Sequence, residues 1–172
     1  MRIAITGTPG VGKTATAKDL SALLHMTHIN VSEVADEMGA ISGEDGNTSV
    51  VDTDILRQKM DDMDNIIVDS HFSELFRADF VFVLRCEPKI LYERLKERGY
   101  PEKKIRENVE AEILDYCLIS ALEHHDAETV FEICGNAVDE IMTIVENPAR
   151  ERSAAFGSQT QFLTEENLNL LQ

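Results

Sequence analysis

The segment Gly7–Thr14 constrains the fold of this chain more than any other part of the sequence. It reads GTPGVGKT and matches the pattern GxxxxGK[ST] at every fixed position. The apolar run Arg2–Thr6 precedes it and predicts a strand, and the pattern Lys13–His25 follows it and predicts a helix. Such a unit directs backbone N–H groups and the positive end of a helix dipole at a bound anion. The sequence therefore predicts an α/β protein with a phosphate-binding loop after its first strand.

Strand and helix patterns alternate along the rest of the chain, which favours a three-layer α/β fold around a parallel sheet of five strands. Four more strands are predicted at Thr27–Val31, Asn65–Asp69, Ala78–Leu84 and Thr129–Cys134, and further helices at Ser32–Met38, Pro88–Arg98, Ile105–His125 and Ala137–Glu146. Gly39–Ser49 has three glycines and no period, and is predicted to be an irregular connection. The domain is predicted to cover residues 1–149. Residues 150–172 form a tail in which Thr164 caps a short helix, either docked or frayed.

The candidate catalytic residues begin in the loop. Lys13 is placed to reach the β- and γ-phosphates of ATP, and the Thr14 hydroxyl to ligate Mg²⁺. Asp69 follows the apolar run 66–68 at the predicted carboxyl edge of the sheet, where it would hold Mg²⁺ opposite Thr14. The alternative is an aspartate that only starts a turn. His71 is a candidate general base or water-positioning group, and a plain surface histidine is the alternative.

Two arginines on one predicted helix face form a second candidate group. Arg94 and Arg98 stand four positions apart, so both guanidinium groups could clamp the transferring phosphoryl group. A solvated helix face with exposed ion pairs is the alternative. The charged break Gly99–Lys104 is suited to a lid that closes over the nucleotide.

Charge and composition limit the classes of molecule that this protein is expected to bind. The formal net charge of −16 disfavours extensive nucleic-acid binding and favours a basic protein partner, although it could serve solubility alone. The three cysteines are far apart and lack any CxxC pair, which predicts neither a disulfide scaffold nor a zinc site. No run is apolar enough to cross a bilayer, and no signal core opens the sequence. We therefore expect a cytoplasmic protein without a membrane association.

Taken together, the motifs resemble the adenylate kinase isoenzyme 6 family over most of residues 1–147. The matching segments are ITGTPGVGKT (5–14), HINV (28–31), VDTD (51–54), IIVDSH (66–71), VFVLR (81–85) and LYERLKERGYPEKKIREN (91–108). The resemblance implies a P-loop nucleoside-monophosphate kinase that converts ATP and AMP to two ADP with Mg²⁺ and also hydrolyses ATP. It also implies a role in small ribosomal subunit maturation and rRNA processing through a basic ribosomal protein.

Several site assignments come from this resemblance. It implies an AMP-binding segment at about 30–51, a lid at about 97–107 that brings Arg98 to nucleotide, and an Asp-x-His motif at Asp69 and His71. The implied ATP site consists of Gly10, Gly12, Lys13, Thr14 and Ala15.

The acceptor segment departs from the related kinases because no Arg or Lys stands between Asn30 and Ile55. We therefore expect weak binding of the acceptor, AMP or dAMP, with Arg57, Lys59 and Arg85 as other candidates for its phosphate.

Three hypotheses follow from the sequence. The first is a nucleoside-monophosphate kinase, which the arginine helix and the lid favour. The second is an ATPase assembly factor that binds a basic ribosomal protein, which the acidic charge and the acceptor segment favour. The third, a kinase for another small hydroxyl acceptor, shares the loop but not the block from Leu91 to Asn108.

Overall fold

The computed structural model describes residues 1–38, 41–45, 48–51, 60, 62–148 and 160–171. Five parallel strands form the main sheet in the order β2-β5-β1-β6-β7, and β3 pairs with β4 in a separate hairpin. The strands are β1 (Arg2–Thr6), β2 (Thr27–Asn30), β3 (Ile41–Asp45), β4 (Thr48–Val51), β5 (Ile66–Asp69), β6 (Phe80–Arg85) and β7 (Val130–Cys134). The five-stranded parallel sheet predicted from the sequence is confirmed. Since β1 lies at its centre, the loop that follows opens at the middle of the carboxyl edge.

Helices cover both faces of this sheet. They are α1 (Lys13–Leu24), α2 (Val31–Met38), α3 (Pro88–Glu97), α4 (Glu102–Ile113), α5 (Tyr116–His124), α6 (Ala137–Glu146) and the short α7 (Glu165–Leu168), with single 3-10 turns at Ser73–Leu75, Ala127–Thr129 and Asn169–Leu171. Within the described ranges, no helix is both long and apolar enough to span a bilayer.

Strand periodicity explains how one sheet supports two cores. On β6, Phe80 and Phe82 point to the same face, where their rings lie 6.0 Å apart and pack with side chains of α1, α3, α4 and α6. Val81 and Val83 point to the opposite face and pack against α5. Because both faces are covered, the strand is apolar along most of its length, as the three-layer prediction requires.

The helix predicted at Ile105–His125 is wrong as a single element, because the chain breaks between α4 and α5. Asp115 adopts a left-handed conformation with φ 56°, which aspartate tolerates better than most side chains. Its carboxylate accepts a hydrogen bond from Arg85 Nη2. The break lets α4 pack on one face of the sheet and α5 on the other.

The irregular connection predicted at Gly39–Ser49 is also wrong for the residues described. Strands β3 and β4 pair antiparallel, with Asp45 opposite Thr48. Gly46 and Asn47, which lie outside the described residues, separate them in the sequence. A two-residue glycine-containing pair of this kind, followed by Thr48 and the valines of β4, is a hairpin signal.

The end of the predicted tail packs on the domain. Thr164 Oγ1 accepts a hydrogen bond from the Asn167 N–H at 3.2 Å, so the predicted helix cap is confirmed. Leu170 and Leu171 pack against the main core, and the Leu171 carbonyl accepts a hydrogen bond from Arg106 at 3.1 Å. Of the two states that the sequence left open for this helix, the docked one is observed.

Candidate active site

Three glycines give the loop between β1 and α1 its shape. Gly7, Gly10 and Gly12 have φ values of 136°, 100° and 112°, a region that side chains rarely adopt. A Cβ atom at Gly7 would lie 2.5 Å from the Leu84 carbonyl oxygen, and one at Gly10 would lie 2.9 Å from the Leu91 side chain. At Gly12 a Cβ atom would meet nothing within 4 Å. The first two glycines therefore hold the loop against β6 and α3, and the third borders open space at the start of α1.

Lys13 turns its ammonium group back into the loop. Its Nζ donates hydrogen bonds to the Gly7 carbonyl at 2.8 Å and to the Thr8 carbonyl at 3.1 Å. Burial lowers the pKa of Lys13, and the charges of nearby acidic groups, including Asp69, oppose this shift. A desolvated cation beside unpaired helix N-terminal amides, those of Lys13, Thr14 and Ala15, suits a polyphosphate.

The Asp69 carboxylate lies beside Thr14, as the sequence predicted. Asp69 Oδ1 is 3.4 Å from Thr14 Oγ1 and 3.3 Å from Asn30 Nδ2, and Oδ2 is 2.7 Å from His28 Nε2. The carboxylate is almost completely buried at the end of β5. Oxygen donors on two facing elements fit Mg²⁺, and Thr14 and Asp69 would hold that ion.

Sequence reasoning missed the partners of Asp69 on the neighbouring strand. Asn30 pairs directly with Asp69 in the register between β2 and β5, and His28 lies two residues earlier on the same face. The signal was available in principle, because both residues precede the end of a predicted strand. It required the strand order, which the sequence alone does not provide.

His71 follows Asp69 by two residues and is exposed. Its ring packs edge-on against Phe72, with 4.6 Å between the centroids. Surrounding protein atoms partly desolvate the ring and lower the pKa of His71, and the charges of Lys13 and Lys104 lower it further. The imidazole is therefore held mainly neutral near pH 7 and is able to accept a proton.

The arginine helix α3 lies against the loop, but its two guanidinium groups are exposed. Leu91 and Leu95 pack at Gly10 and fix the helix there. Arg94 Nη1 donates to Cys86 Sγ at 3.6 Å, and Arg98 ends the helix one turn further on. Among the described hydrogen bonds, none joins either side chain to the loop. The structure thus places both arginines on the correct element and does not assemble them around Lys13.

A buried network beneath the loop was not predicted. Glu112 of α4 accepts hydrogen bonds from Thr8 Oγ1, from the Cys86 N–H at 3.1 Å and from Arg85 Nε at 2.9 Å. Arg85 also binds the carboxylates of Glu132 and Asp115. Arg85 is therefore committed to this network, and its candidacy as a ligand for the acceptor phosphate is wrong. Arg57 and Lys59 lie outside the described residues.

Comparisons with known proteins agree with this architecture. Residues 3–115 match the family model described as an AAA domain. A protein of Pyrococcus furiosus named "Putative adenylate kinase" is 41% identical over 149 residues, which is 86% of this chain and 83% of that protein. The protein of the same name from Methanocaldococcus jannaschii is 37% identical and covers 94% of this chain and 96% of its own length. The chain belongs to the family of these archaeal proteins.

Two solved kinase structures share the fold of this chain. Deoxyadenosine kinase from M. mycoides with bound dATP superposes with a TM-score of 0.57 over 86% of this chain and all of that chain, at 15% identity. Shikimate kinase from Bacteroides thetaiotaomicron gives a TM-score of 0.53 over 85% of this chain and 98% of its own, at 18% identity. At these identities the likeness concerns the fold alone.

Proposed function

We propose that this chain is an adenylate kinase-type phosphotransferase that moves the γ-phosphoryl group of ATP to AMP or dAMP. The observation that carries the proposal is the pairing of the phosphate loop with Asp69, whose carboxylate lies 3.4 Å from the Thr14 hydroxyl. The names of the archaeal relatives support the same reaction. The two solved kinase structures, at 15% and 18% identity, support only the fold in which this reaction would take place.

In this proposal the loop binds and orients the donor phosphates. The backbone N–H groups that follow Gly12 contact the phosphate oxygens. Gly10, which has no side chain, lets the loop lie directly against α3. Lys13 exchanges its two carbonyl contacts for phosphate oxygens, so its charge is used where negative charge accumulates. Bound Mg²⁺ would supply positive charge that offsets the negative charge of the phosphates. Asp69 and Thr14 would hold that ion, and the contact with His28 fixes the direction of the Asp69 carboxylate.

The acceptor and the lid complete the site. The segment 30–51 is proposed to bind AMP and the segment 97–107 to close over the nucleotides. Closure would bring Arg98 from solvent to the equatorial oxygens of the phosphoryl group, and a change of side-chain rotamer on the fixed helix α3 would bring Arg94 there. Because the acceptor phosphate is already an anionic nucleophile, the transfer step needs orientation and charge compensation rather than a general base.

Turnover of ATP alone and with each nucleoside monophosphate tests this assignment. We expect ADP formation to rise most with AMP or dAMP, and Lys13→Ala to abolish it while circular dichroism remains unchanged. Lys18→Ala is the matched control, because Lys18 lies on the same helix and is exposed. A preference for CMP or UMP, or normal turnover by Lys13→Ala, contradicts the proposal.

A second candidate function is ATP hydrolysis coupled to the binding of a basic protein, as in ribosomal subunit maturation. It is favoured by the net charge of −16 and by the placement of His71, whose pKa is lowered beside Lys13. Water, unlike AMP, must lose a proton as it attacks, and a neutral imidazole could accept it. Hydrolysis without added monophosphate, stimulated by a basic small-subunit ribosomal protein, would support this function. No hydrolysis above the level of Lys13→Ala would exclude it.

A further inference from the structure

Large apolar side chains are exposed together where α4 ends and α5 begins. Leu114, Tyr116, Ile119 and Leu122 are 49%, 65%, 51% and 46% exposed, and all four lie within nine residues. Single exposed apolar residues are normal on any protein, but a contiguous group usually marks a docking surface. The first three line a groove of about 420 Å³ between the two helices.

The groove has the form of a site for a helix. On α4 and its C-terminal turn, Glu107, Glu110 and Leu114 follow the spacing i, i+3 and i+7, so they lie in one stripe. On α5, Tyr116, Ile119 and Glu123 repeat that spacing. Two stripes that line one groove with apolar residues between acidic ones can hold the apolar face of an amphipathic helix.

The charge at the rim of the groove indicates which residues a bound helix would carry beside its apolar face. Glu110 and Glu123 are exposed at the rim, and among the described residues that line the groove none is basic. Glu107 lies 3.9 Å from the amines of Lys103 and Lys104, which offset its charge, so the acidic character of the rim comes from Glu110 and Glu123. A second copy of this chain would place the same acidic rim against itself, which the net charge of −16 makes unfavourable.

We propose that this groove is the docking site for a cationic amphipathic helix of a partner protein, with apolar residues in one stripe and Lys or Arg beside them. The site is separate from the nucleotide cleft, and its existence does not depend on which acceptor the kinase uses. Both helices are nevertheless connected to the ends of the phosphate loop from their inner faces, α4 directly and α5 through Glu74, which accepts a hydrogen bond from Thr6 at the end of β1. Glu112 of α4 bonds to Thr8 Oγ1, and Ser120 of α5 donates to Glu74 at 3.0 Å.

Binding of a synthetic peptide tests the proposal directly. The probe is a fluorescent peptide of about 16 residues with leucines at i, i+3, i+4 and i+7 and lysines beside them. A peptide of the same composition in scrambled order is the control for charge alone. Fluorescence anisotropy gives the affinity at 0.15 and 0.5 M salt, and ¹⁵N chemical-shift changes locate the site.

Matched variants separate the groove from the general surface. We expect Ile119→Ser to weaken binding about tenfold, as loss of an anchor does, and Ile90→Ser to leave it unchanged. The pair is matched because the two isoleucines are 51% and 50% exposed. The double variant Glu110→Gln/Glu123→Gln should weaken peptide binding several-fold, because two charges at the rim of the interface are lost. It should also make the affinity less dependent on salt concentration. The charge control is Glu128→Gln with Glu146→Gln, two exposed carboxylates elsewhere.

The measurements distinguish a docking site for a partner helix from nonspecific binding and from self-association. Preference for the ordered peptide, shifts confined to α4 and α5, and selective loss with Ile119→Ser support the docking site. Equal binding of the scrambled peptide, or equal losses in the test and control variants, overturns it. Self-association in analytical ultracentrifugation that Ile119→Ser abolishes also overturns it, because the surface would then belong to a second copy of the chain.

Discussion

Replacing Arg85 with Met should destabilise the protein severely, although Arg85 lies outside the proposed chemistry. Its side chain is 2% exposed, and the carboxylates of Glu112 and Glu132 that it binds are 1% and 4% exposed. Removing one partner from a buried ion pair costs about 3–5 kcal/mol, because a carboxylate then stays buried without compensation. A domain of this size has roughly 5–15 kcal/mol of stability in total.

The loss should be visible in equilibrium urea denaturation at pH 7. With a slope of about 2 kcal/mol per M, a cost of 4 kcal/mol lowers the midpoint by roughly 2 M. Burial alone would lower the pKa of Arg85, but the ion pairs with Glu112 and Asp115 raise it. The stabilisation by the protonated guanidinium is therefore complete below its unfolded pKa and is lost only at extremely alkaline pH, so pH 7 reports its full value.

Arg106→Met is the control for the same substitution on the surface. Arg106 pairs with Glu102 at 2.9 Å, but the two side chains are 42% and 51% exposed. Exposed pairs contribute about 0.2–1 kcal/mol, and the bond to the Leu171 carbonyl adds about as much. If Arg85→Met costs no more than Arg106→Met, the reasoning about the buried network is wrong.

Four further predictions concern the proposed site. Lys13→Met should abolish transfer yet raise the urea midpoint at pH 7. The pKa of Lys13 is lower in the folded state than in the unfolded state, so the protonated side chain reduces the free energy of unfolding, and methionine removes that effect. For the same reason wild-type stability should rise with pH from the folded pKa of Lys13 towards 10.5, and the variant should lack this rise. His71→Ala should reduce ATP hydrolysis much more than transfer to AMP, whereas Asp69→Asn should reduce both; equal losses for His71→Ala would assign it to nucleotide geometry. His28→Phe should weaken Mg²⁺-dependent ATP binding in calorimetry and leave Mg²⁺-free binding unchanged, and a purely structural role would lower both. The Michaelis constant for AMP should be about ten- to a hundredfold above that of a kinase with one more charge-assisted contact, and a micromolar value would contradict this.

The sequence predicted the parts of the molecule whose signals are local. The loop pattern, the apolar strands and the cap at Thr164 each depend on residues that are neighbours along the chain, and the structure contains all three. The meeting of Thr14 and Asp69 was also predictable, because carboxyl ends of parallel strands share one edge.

What the sequence did not predict depends on contacts between distant residues. Asp115 breaks a helix of continuous period because its carboxylate is bound by an arginine thirty positions earlier. Glu112 looks like one more helical glutamate until Arg85, Cys86 and Thr8 converge on it. The partnership of His28 with Asp69 required the strand order, in which β2 lies next to β5.

The contact at Gly10 limits how the proposed lid can move. Leu91 and Leu95 fill the space beside the loop, so a tilt of α3 would drag the phosphate site with it. Leu95 lies just before the proposed lid segment and Ile105 lies within it, and the two side chains are 0% and 1% exposed and belong to the same core. The nine residues between them are therefore tethered at both ends and can swing only as a short flap. Gly99, with φ 73° and no atom within 4 Å of where a side chain would begin, is the natural place for that flap to bend.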